Sequence, residues 1–338
     1  MTGDGGAPPA VGGLPPRISV VVPAFNAAAT IGACLTSVEA QTLPPAEVIV
    51  VDDGSSDATV AVVEEHHPWA RVVRQRNTGP SGARNRGLAE ADGGWVAFLD
   101  ADDRWHPHKL AAQVAALAHR PDAVLVATDW RRPLAVPLAT PGGEGGEPAT
   151  GQPPGWVSPA TPSETVFGYR DLLVLNRFQT STVLMSRQVA HELGGFDGAL
   201  DGVEDWHLWL RAAAVGPIVK LDWPYVEYRD VASGYSKDLD RVYATLRSML
   251  VTELAREDLG PQQDLAAVLA WHHLRFALGF LLEHQPGSAL RALGNLRAEG
   301  LVGATPTAVS RYMAPFLAGR LRRRIDRPSR RDAPASAA

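Results

Sequence analysis

Three short segments of this 338-residue chain concentrate side chains able to bind a charged ligand: Pro23-Ala24-Phe25-Asn26, Asp52-Asp53-Gly54-Ser55-Ser56-Asp57 and Asp100-Ala101-Asp102-Asp103. Each ends a run rich in β-branched residues. If those runs are parallel strands of one open α/β sheet, the ligand crevice lies outside their carboxyl ends and the three segments converge there. Carboxylates that share a cleft repel one another unless protons or a cation compensate, and an oxygen-only ligand set suits Mg²⁺ or Mn²⁺. The pattern therefore predicts a divalent metal site. Each segment also has a local reading. Asp57, ahead of Ala58-Thr59-Val60, fits a helix N-cap, Ser55 and Ser56 fit a turn, and 100–103 fits a capped turn before a helix at Pro107. Capping alone does not account for the ordered set of three.

The elements that must position these groups are legible as hydrophobic periodicity. Strand-like runs occur at 18–22, 48–51, 72–73, 96–99 and 124–126, alternating with helical patterns, the signature of a mostly parallel sheet covered by helices. Ile31, Leu35 and Val38 share one helix face, as do Leu110, Val114 and Leu117, with Pro107 suited to a first turn and Pro121 placed beyond the end. Periodicity fails over 131–163, which is rich in Gly, Pro, Ala and Thr and reads as a long mobile loop. Order returns near Thr165, with a strand at 181–185, a helix at 187–193, the pair Gly194-Gly195 and a helix at 203–214 whose buried face carries Trp206, Trp209, Leu210 and Ala213. Beyond Asp240 strand signals stop and helical patterns run to about Arg323. The expected organisation is a lead-in over 1–16, read as disordered, a catalytic domain over 17–238, a helical appendage over 239–323 and a disordered tail over 324–338.

Composition narrows the function classes. A net charge of −5 gives no basic field, so nucleic acid is excluded as an expected partner of the body of the protein. The lone cysteine, Cys34, rules out an internal disulfide framework, fits a reducing compartment and lies on the apolar side of a predicted helix. Residues 1–16 lack a cationic start followed by an apolar block, and no uninterrupted apolar run approaches the ~18 residues of a membrane span. The reading is a soluble or peripheral protein. The arginine-rich tail from Arg320 reads as a solvated end, with contact to anionic lipid as the alternative.

Four blocks together resemble family 2 glycosyltransferases of the GT-A fold. They are Ile18-Ser19-Val20-Val21-Val22-Pro23-Ala24-Phe25-Asn26; Val50-Val51-Asp52-Asp53-Gly54-Ser55-Ser56-Asp57; Asn77-Thr78-Gly79 with Gly82-Ala83-Arg84-Asn85; and Phe98-Leu99-Asp100-Ala101-Asp102-Asp103. Their order and spacing are the family's, and with 181–205 the likeness reaches about two thirds of the chain. It implies an inverting transfer of sugar from a nucleoside diphosphate, most commonly uridine diphosphate, to a carbohydrate or lipid-linked acceptor hydroxyl, on the cytoplasmic side of a cell or the inner face of its membrane. In the implied roles Pro23, Ala24 and Asn26 line the nucleotide pocket, Asp53 (alternatively Asp52) meets the base and Asp100 the ribose. Asp102 holds the metal, with Asp103 as the alternative ligand, and Arg84 contacts base or phosphate or makes a surface salt bridge.

Inverting transfer needs an acceptor oxygen to lose its proton while the diphosphate leaves from the opposite face. In the family a Glu-Asp or Asp-Asp pair ahead of an aromatic helix supplies the base. The resemblance thus assigns Asp205 as base and Glu204 as an acceptor-orienting group. The local alternative is that acids favour a helix's first turn. His207 falls on another face. One departure stands out: Tyr228-Arg229 is followed by Asp230-Val231-Ala232-Ser233, without the histidine many relatives carry. The third protein ligand is thereby left to Asp230 or water, and Arg229 and Lys237 are placed to balance diphosphate. Trp105, Trp130, Trp156 and Trp223 are candidates for sugar stacking or for packing, and the loop that holds Trp156 is nominated as a lid or acceptor clamp. A sugar nucleotidyltransferase would want a glycine-rich basic loop after the first strand, where Pro23-Ala24-Phe25-Asn26 stands. A non-catalytic nucleotide-sugar-binding protein would lack the base or metal carboxylate, and both are present.

Overall fold

Strand β1 (Ile18–Ala24) is buried along its whole length except Pro23, which is half-buried. A continuous apolar run of this kind is what a parallel strand covered on both faces requires. Strands β2 (Glu47–Asp52), β3 (Arg71–Arg74) and β4 (Trp95–Phe98) join it in the order β3-β2-β1-β4, all parallel. The crossovers are helices α1 (Ile31–Glu39), α2 (Thr59–His66) and α3 (Gly79–Glu90). The strand order reverses between β1 and β4, so the carboxyl ends of β1, β2 and β4 open onto one edge at a topological switch point. The structure is a computed structural model, and it describes residues 16–132, 156–229, 238–254 and 265–317, divided into two units after Lys237.

The sheet continues as a mixed half. It uses β5 (Arg104–Trp105), β6 (Leu125–Arg131), β7 (Glu164–Phe167), β8 (Leu184–Ser186) and β9 (Ile218–Glu227), with helices α4 (Lys109–His119), α5 (Tyr169–Val174), α6 (Arg187–Glu192) and α7 (Glu204–Val215). Strand β8 lies antiparallel between β4 and β6, β6 runs parallel to β9, and β5 and β7 both pair antiparallel with β9. The three strands absent from the sequence reading, β5, β7 and β9, have identifiable reasons. β5 is too short to show a period. β7 has an exposed face, and β9 is interrupted by Lys220, Asp222 and Pro224 and shifts register against β6. The strand expected at 181–185 begins instead with a 3₁₀ turn, Thr180–Thr182, and pairs only over β8.

Ile31, Cys34, Leu35 and Val38 of α1 pack with Ile18, Val20 and Val22 into the main core. Cys34 has no exposed surface and burial pushes its thiol well above the ordinary range, so it is a packing residue. On the other side α3 sits hard against β1: a Cβ at Gly87 would lie 2.2 Å from Val21 Cγ1. That close approach fixes where the residues before Gly87, including Arg84 and Asn85, are delivered.

The second unit, from Asp238, contains α8 (Leu239–Leu254), α9 (Leu265–Leu282) and α10 (Pro286–Ala298), then the short α11 (Thr305–Ala308). Helix α9 is the one described helix long and apolar enough to cross a membrane, with mean hydropathy 1.5, although half of it is buried inside the protein. His272, His273 and Arg275 interrupt its apolar run, which is why the sequence shows no continuous span there. Its packing is specific: Tyr243 Oη meets His273 Nδ1 at 2.7 Å, His273 Nε2 meets Glu299 Oε2 at 3.0 Å, and Asn295 Nδ2 donates to Tyr243 Oη at 3.0 Å. Residues 1–15, 133–155 and the arginine-rich tail from Arg320, with the expectations placed on them, lie outside the described residues.

Candidate active site

At the end of β4 the chain turns through Asp100, Ala101, Asp102 and Asp103, and neighbouring carboxylates receive different environments. Asp103 is 1% exposed; its Oδ2 accepts from Ser181 Oγ at 2.6 Å and its Oδ1 from the Arg229 amide at 2.9 Å. Burial, then the charge of Asp100, pushes its pKa well up. Both its oxygens hold the β4 turn against two other segments, so Asp103, named above as the alternative metal ligand, acts as an anchor of that turn. Ser181 Oγ also accepts from the Asp100 amide at 3.0 Å. Asp102 is half-buried and receives no such bonds from other described residues; burial, then Asp100, raises its pKa to about 6, opposed by Arg229 and Arg84.

Arg84 is not at the surface. It is 6% exposed, with Nη2 donating to Asp100 Oδ1 at 2.9 Å and Nη1 to Glu204 Oε1 at 3.0 Å. Burial opposes its charge, but the two carboxylates hold it firmly protonated. The surface salt bridge offered as its alternative role is instead a buried bridge between the turn after β4 and the start of α7. Glu204 is also held on its second oxygen, which accepts from the Gly202 amide at 2.7 Å.

Asp205, next in the first turn of α7, is half-buried and more loosely held. Its oxygens face Asn176 Nδ2 at 3.4 Å and Thr180 Oγ1 at 3.5 Å, and its own Oδ1 takes the Trp206 amide. Burial, then the Glu204 charge, lifts its pKa to about 7, with Arg84 pulling the other way. A carboxylate with that pKa can accept a proton near neutrality and give it up again. Trp206 pins the helix through Nε1 to Leu172 O at 2.6 Å. Asn176, Thr180 and Ser181 were not singled out from sequence; short polar side chains in an irregular segment carry no periodic signal.

The ends of β1 and β2 are stitched together. Asn26, at φ 49°, accepts from the Ser56 amide at 2.8 Å while its own amide donates to Ser55 Oγ at 2.9 Å. Asp57, expected as the N-cap, stands one residue before the N-cap Ala58; it accepts from the Thr59 amide at 2.9 Å and from the Ala28 amide at 3.0 Å. Asp53 is 3% exposed and accepts from Gln75 Nε2 at 2.7 Å, the Thr78 amide at 2.9 Å and Oγ1 at 3.3 Å, and the Gly79 amide at 2.9 Å. Gly79, at φ +81°, turns its amide into that position, a conformation other residues rarely adopt. Asp53 therefore organises the loop before α3 and has little acceptor capacity left for a nucleobase. Asp52 is likewise buried and accepts from the Ser55 amide at 3.2 Å. Ala24 is buried in the core, Pro23 is half-buried, and Asn26 and Phe25 stand exposed at the rim.

Among the described residues no three His, Cys, Asp or Glu side chains form a metal-holding group. Asp102, with Asp100 beside it, is nevertheless an open, desolvated carboxylate site of the kind Mg²⁺ or Mn²⁺ occupies with one or two protein oxygens plus phosphate oxygens and water. The residues fit such an ion. Asp230 and Lys237 lie outside the described residues, and Arg229 is present beside Asp103.

Trp156, expected to be an exposed indole, is buried. It is 3% exposed, donates from Nε1 to Pro224 O at 2.6 Å, lies under the Arg131 guanidinium at 4.1 Å and is gripped by His106 Nε2 at its carbonyl, 2.8 Å away. Its indole is a sheet-edge anchor, since both its polar atom and its faces are used. Trp105 is also buried, donating to Ser181 O at 2.8 Å, whereas Trp130 and Trp223 are half-buried.

A parallel half whose strand ends form an acidic edge, joined to a mixed half that delivers a carboxylate from a helix start, is the GT-A architecture. Residues 19–137, about a third of the chain, match the model of glycosyl transferase family 2. The chain is 36% identical over 118 residues to an uncharacterized glycosyltransferase, YibD, of Escherichia coli, covering 34% of each chain. It is 43% identical over 109 residues to the succinoglycan biosynthesis protein ExoO of Rhizobium meliloti, covering 32% of this chain and 31% of that protein. The match thus spans about a third of these relatives' length. Over most of the chain the fold is that of the S. aureus TarS 1–349 complex with UDP-GlcNAc, with TM-score 0.59, 21% identity and coverage of 86% and 82%. The mannosyltransferase PcManGT of Pyrobaculum calidifontis, in complex with GDP-Man and Mn²⁺, aligns with TM-score 0.56, 23% identity and coverage of 91% and 81%. At these identities the likeness is one of fold.

Proposed function

We propose that this chain is a glycosyltransferase that moves a sugar, with inversion, from a nucleoside diphosphate to an acceptor hydroxyl. The observation that carries the reading is Asp205: a carboxylate with its pKa raised to about 7, on the same buried charge network as the open carboxylate Asp102. Asp205 accepts the acceptor's hydroxyl proton as that oxygen attacks the anomeric carbon. Asn176 and Thr180 orient its oxygens, and Glu204, held by Arg84 and Gly202, supplies the neighbouring charge that keeps Asp205 basic. Asp102, with Asp100, would hold a Mg²⁺ or Mn²⁺ ion, which when bound stabilises negative charge on the leaving diphosphate. Pro23, Asn26 and the exposed Phe25 ring border the space for the nucleoside.

UDP is the donor nucleotide to test first, since a fold neighbour was solved with UDP-GlcNAc, and GDP second, since another carries GDP-Man. A role in polysaccharide or glycolipid synthesis is suggested by the naming of the relative in succinoglycan biosynthesis. Action at the cytoplasmic face, where nucleotide sugars are available, belongs to the same proposal. The test is a thermal-shift screen of nucleoside diphosphate sugars with Mn²⁺, followed by nucleotide-release assays on any hit. A true donor at a hundred times its Kd stabilises the fold by about 2.7 kcal/mol. A flat response to every donor, with and without metal, would remove the reading.

A further inference from the structure

The segment Gly82-Ala83-Arg84-Asn85 lies in the first half of α3, one turn past Gly79, and its two polar side chains reach Phe196 and Glu204 in the other half of the domain. Asn85 forms a reciprocal pair with Phe196: Nδ2 donates to Phe196 O at 2.7 Å, and the Phe196 amide donates to Oδ1 at 2.8 Å. Gly195, at φ +69°, comes so close that a Cβ there would lie 2.3 Å from Asn85 Oδ1. Arg84 stands 5.4 Å over the Phe196 ring and continues to Glu204, at the start of α7. Helix α3 therefore grips the chain on its way into α7 at successive points, while its own position is set by the contact of Gly87 with Val21.

We propose that Arg84 is the positioning residue of this centre: one buried guanidinium that ties the donor-side carboxylate Asp100 to the acceptor-side helix start carrying Glu204 and Asp205. The inference rests on the glycosyltransferase reading for the names of the two sides, but the bridge itself is geometric. Asp100 and Glu204 come from chain positions more than a hundred residues apart and meet through opposite arms of the same fork. A planar guanidinium can serve two carboxylates in fixed directions; an ammonium is a point charge that serves them less well. With a side-chain exposure of 7% for Arg84 and 10% for Glu204, little water is available to replace the Glu204 arm, whereas Asp100, at 29%, keeps one side toward solvent. Removing one arm's partner therefore changes what the other arm can do.

The test is a double-mutant cycle. Asp100→Asn and Glu204→Gln are made singly and together, in otherwise unaltered protein and in the Arg84→Lys background, with unfolding in urea as the first measurement. Coupling through a shared arginine makes the two substitutions non-additive by roughly fivefold or more in the unfolding constant, and this coupling disappears in the Arg84→Lys background. The second measurement is the affinity for UDP with Mn²⁺, which a merely structural ion pair would leave alone. Glu204→Gln changes that affinity several-fold with Arg84 present and leaves it unchanged with Arg84→Lys. Should Arg84→Lys prove unstable, Asn85→Ala, which loosens the same grip without altering charge, must reduce the coupling. Additive effects in the unaltered background would overturn the proposal. If the full chain binds neither UDP nor another nucleoside diphosphate, the functional reading fails separately, and the unfolding cycle alone decides the bridge.

Discussion

The acidic clusters after β2 and after β4 read alike in sequence, and the structure uses them in opposite ways. After β2, Asp53 is saturated by the Gln75 side chain, the Thr78 amide and hydroxyl and the Gly79 amide, all from one loop. After β4, Asp102 is left open and Asp100 shares a buried arginine with a distant glutamate. A carboxylate surrounded by amides is a scaffold, because its charge is already satisfied. One that is desolvated next to another acid retains an unmet demand for a cation or a proton. Residue type and strand-end position are thus common to both clusters; the supply of donors separates them.

The strongest way to break the contrast is Asp205→Asn, which should cut nucleotide release by ~10²–10⁴ while leaving UDP affinity with Mn²⁺ intact; unaltered release would remove Asp205 from the mechanism. The same variant has a stability signature. The pKa of Asp205 rises from 3.8 to about 7 in the fold, so its contribution is fully present below 3.8 and is lost as pH climbs through 7. Asp205→Asn should therefore melt higher than the parent above pH 7 and show no such advantage near pH 4.

Next in size, Asp102→Asn should lower metal-dependent UDP binding by at least the roughly 10–100-fold that loss of an outer partner costs a metal site. Calorimetry with Mn²⁺ and with chelator checks it, and equal affinities would show that the open carboxylate holds no ion. Turnover of the parent should rise about tenfold per pH unit up to about 7 and then level, as a base titrating there requires. A profile flat from pH 5 to 8 would contradict the assignment. The smallest effect sharpens the other side of the comparison. Asp53→Ala, which strands the amides of Thr78 and Gly79, should cost about 1–3 kcal/mol in urea unfolding, whereas Asp102→Ala should cost no stability.

Much of this was legible along the chain because it was local. The parallel strands announce themselves by β-branched runs, α1 and α4 by their apolar spacing, and the switch-point edge by the polar segments at the strand ends. Strand β9 was not legible: Lys220, Asp222 and Pro224 break its pattern, and its pairing with β6 shifts register. Trp156 looked like a free indole in an aperiodic stretch, since nothing nearby in sequence shows that Pro224 O and Arg131 receive it. Asn176, Thr180 and Ser181 were silent for a related reason, because their partners Asp205, Asp100 and Asp103 lie dozens of residues away.

By itself the amino-acid sequence determined the parallel half of the sheet, the edge where polar groups gather and the match of residues 19–137 to the model of glycosyl transferase family 2. These are properties of periodicity and of contiguous motifs, which chain order preserves. Only the tertiary structure decided which carboxylates stay reactive. Desolvation and hydrogen-bond supply depend on every segment folded against a side chain, and the arginine that joins Asp100 to Glu204 belongs to neither cluster.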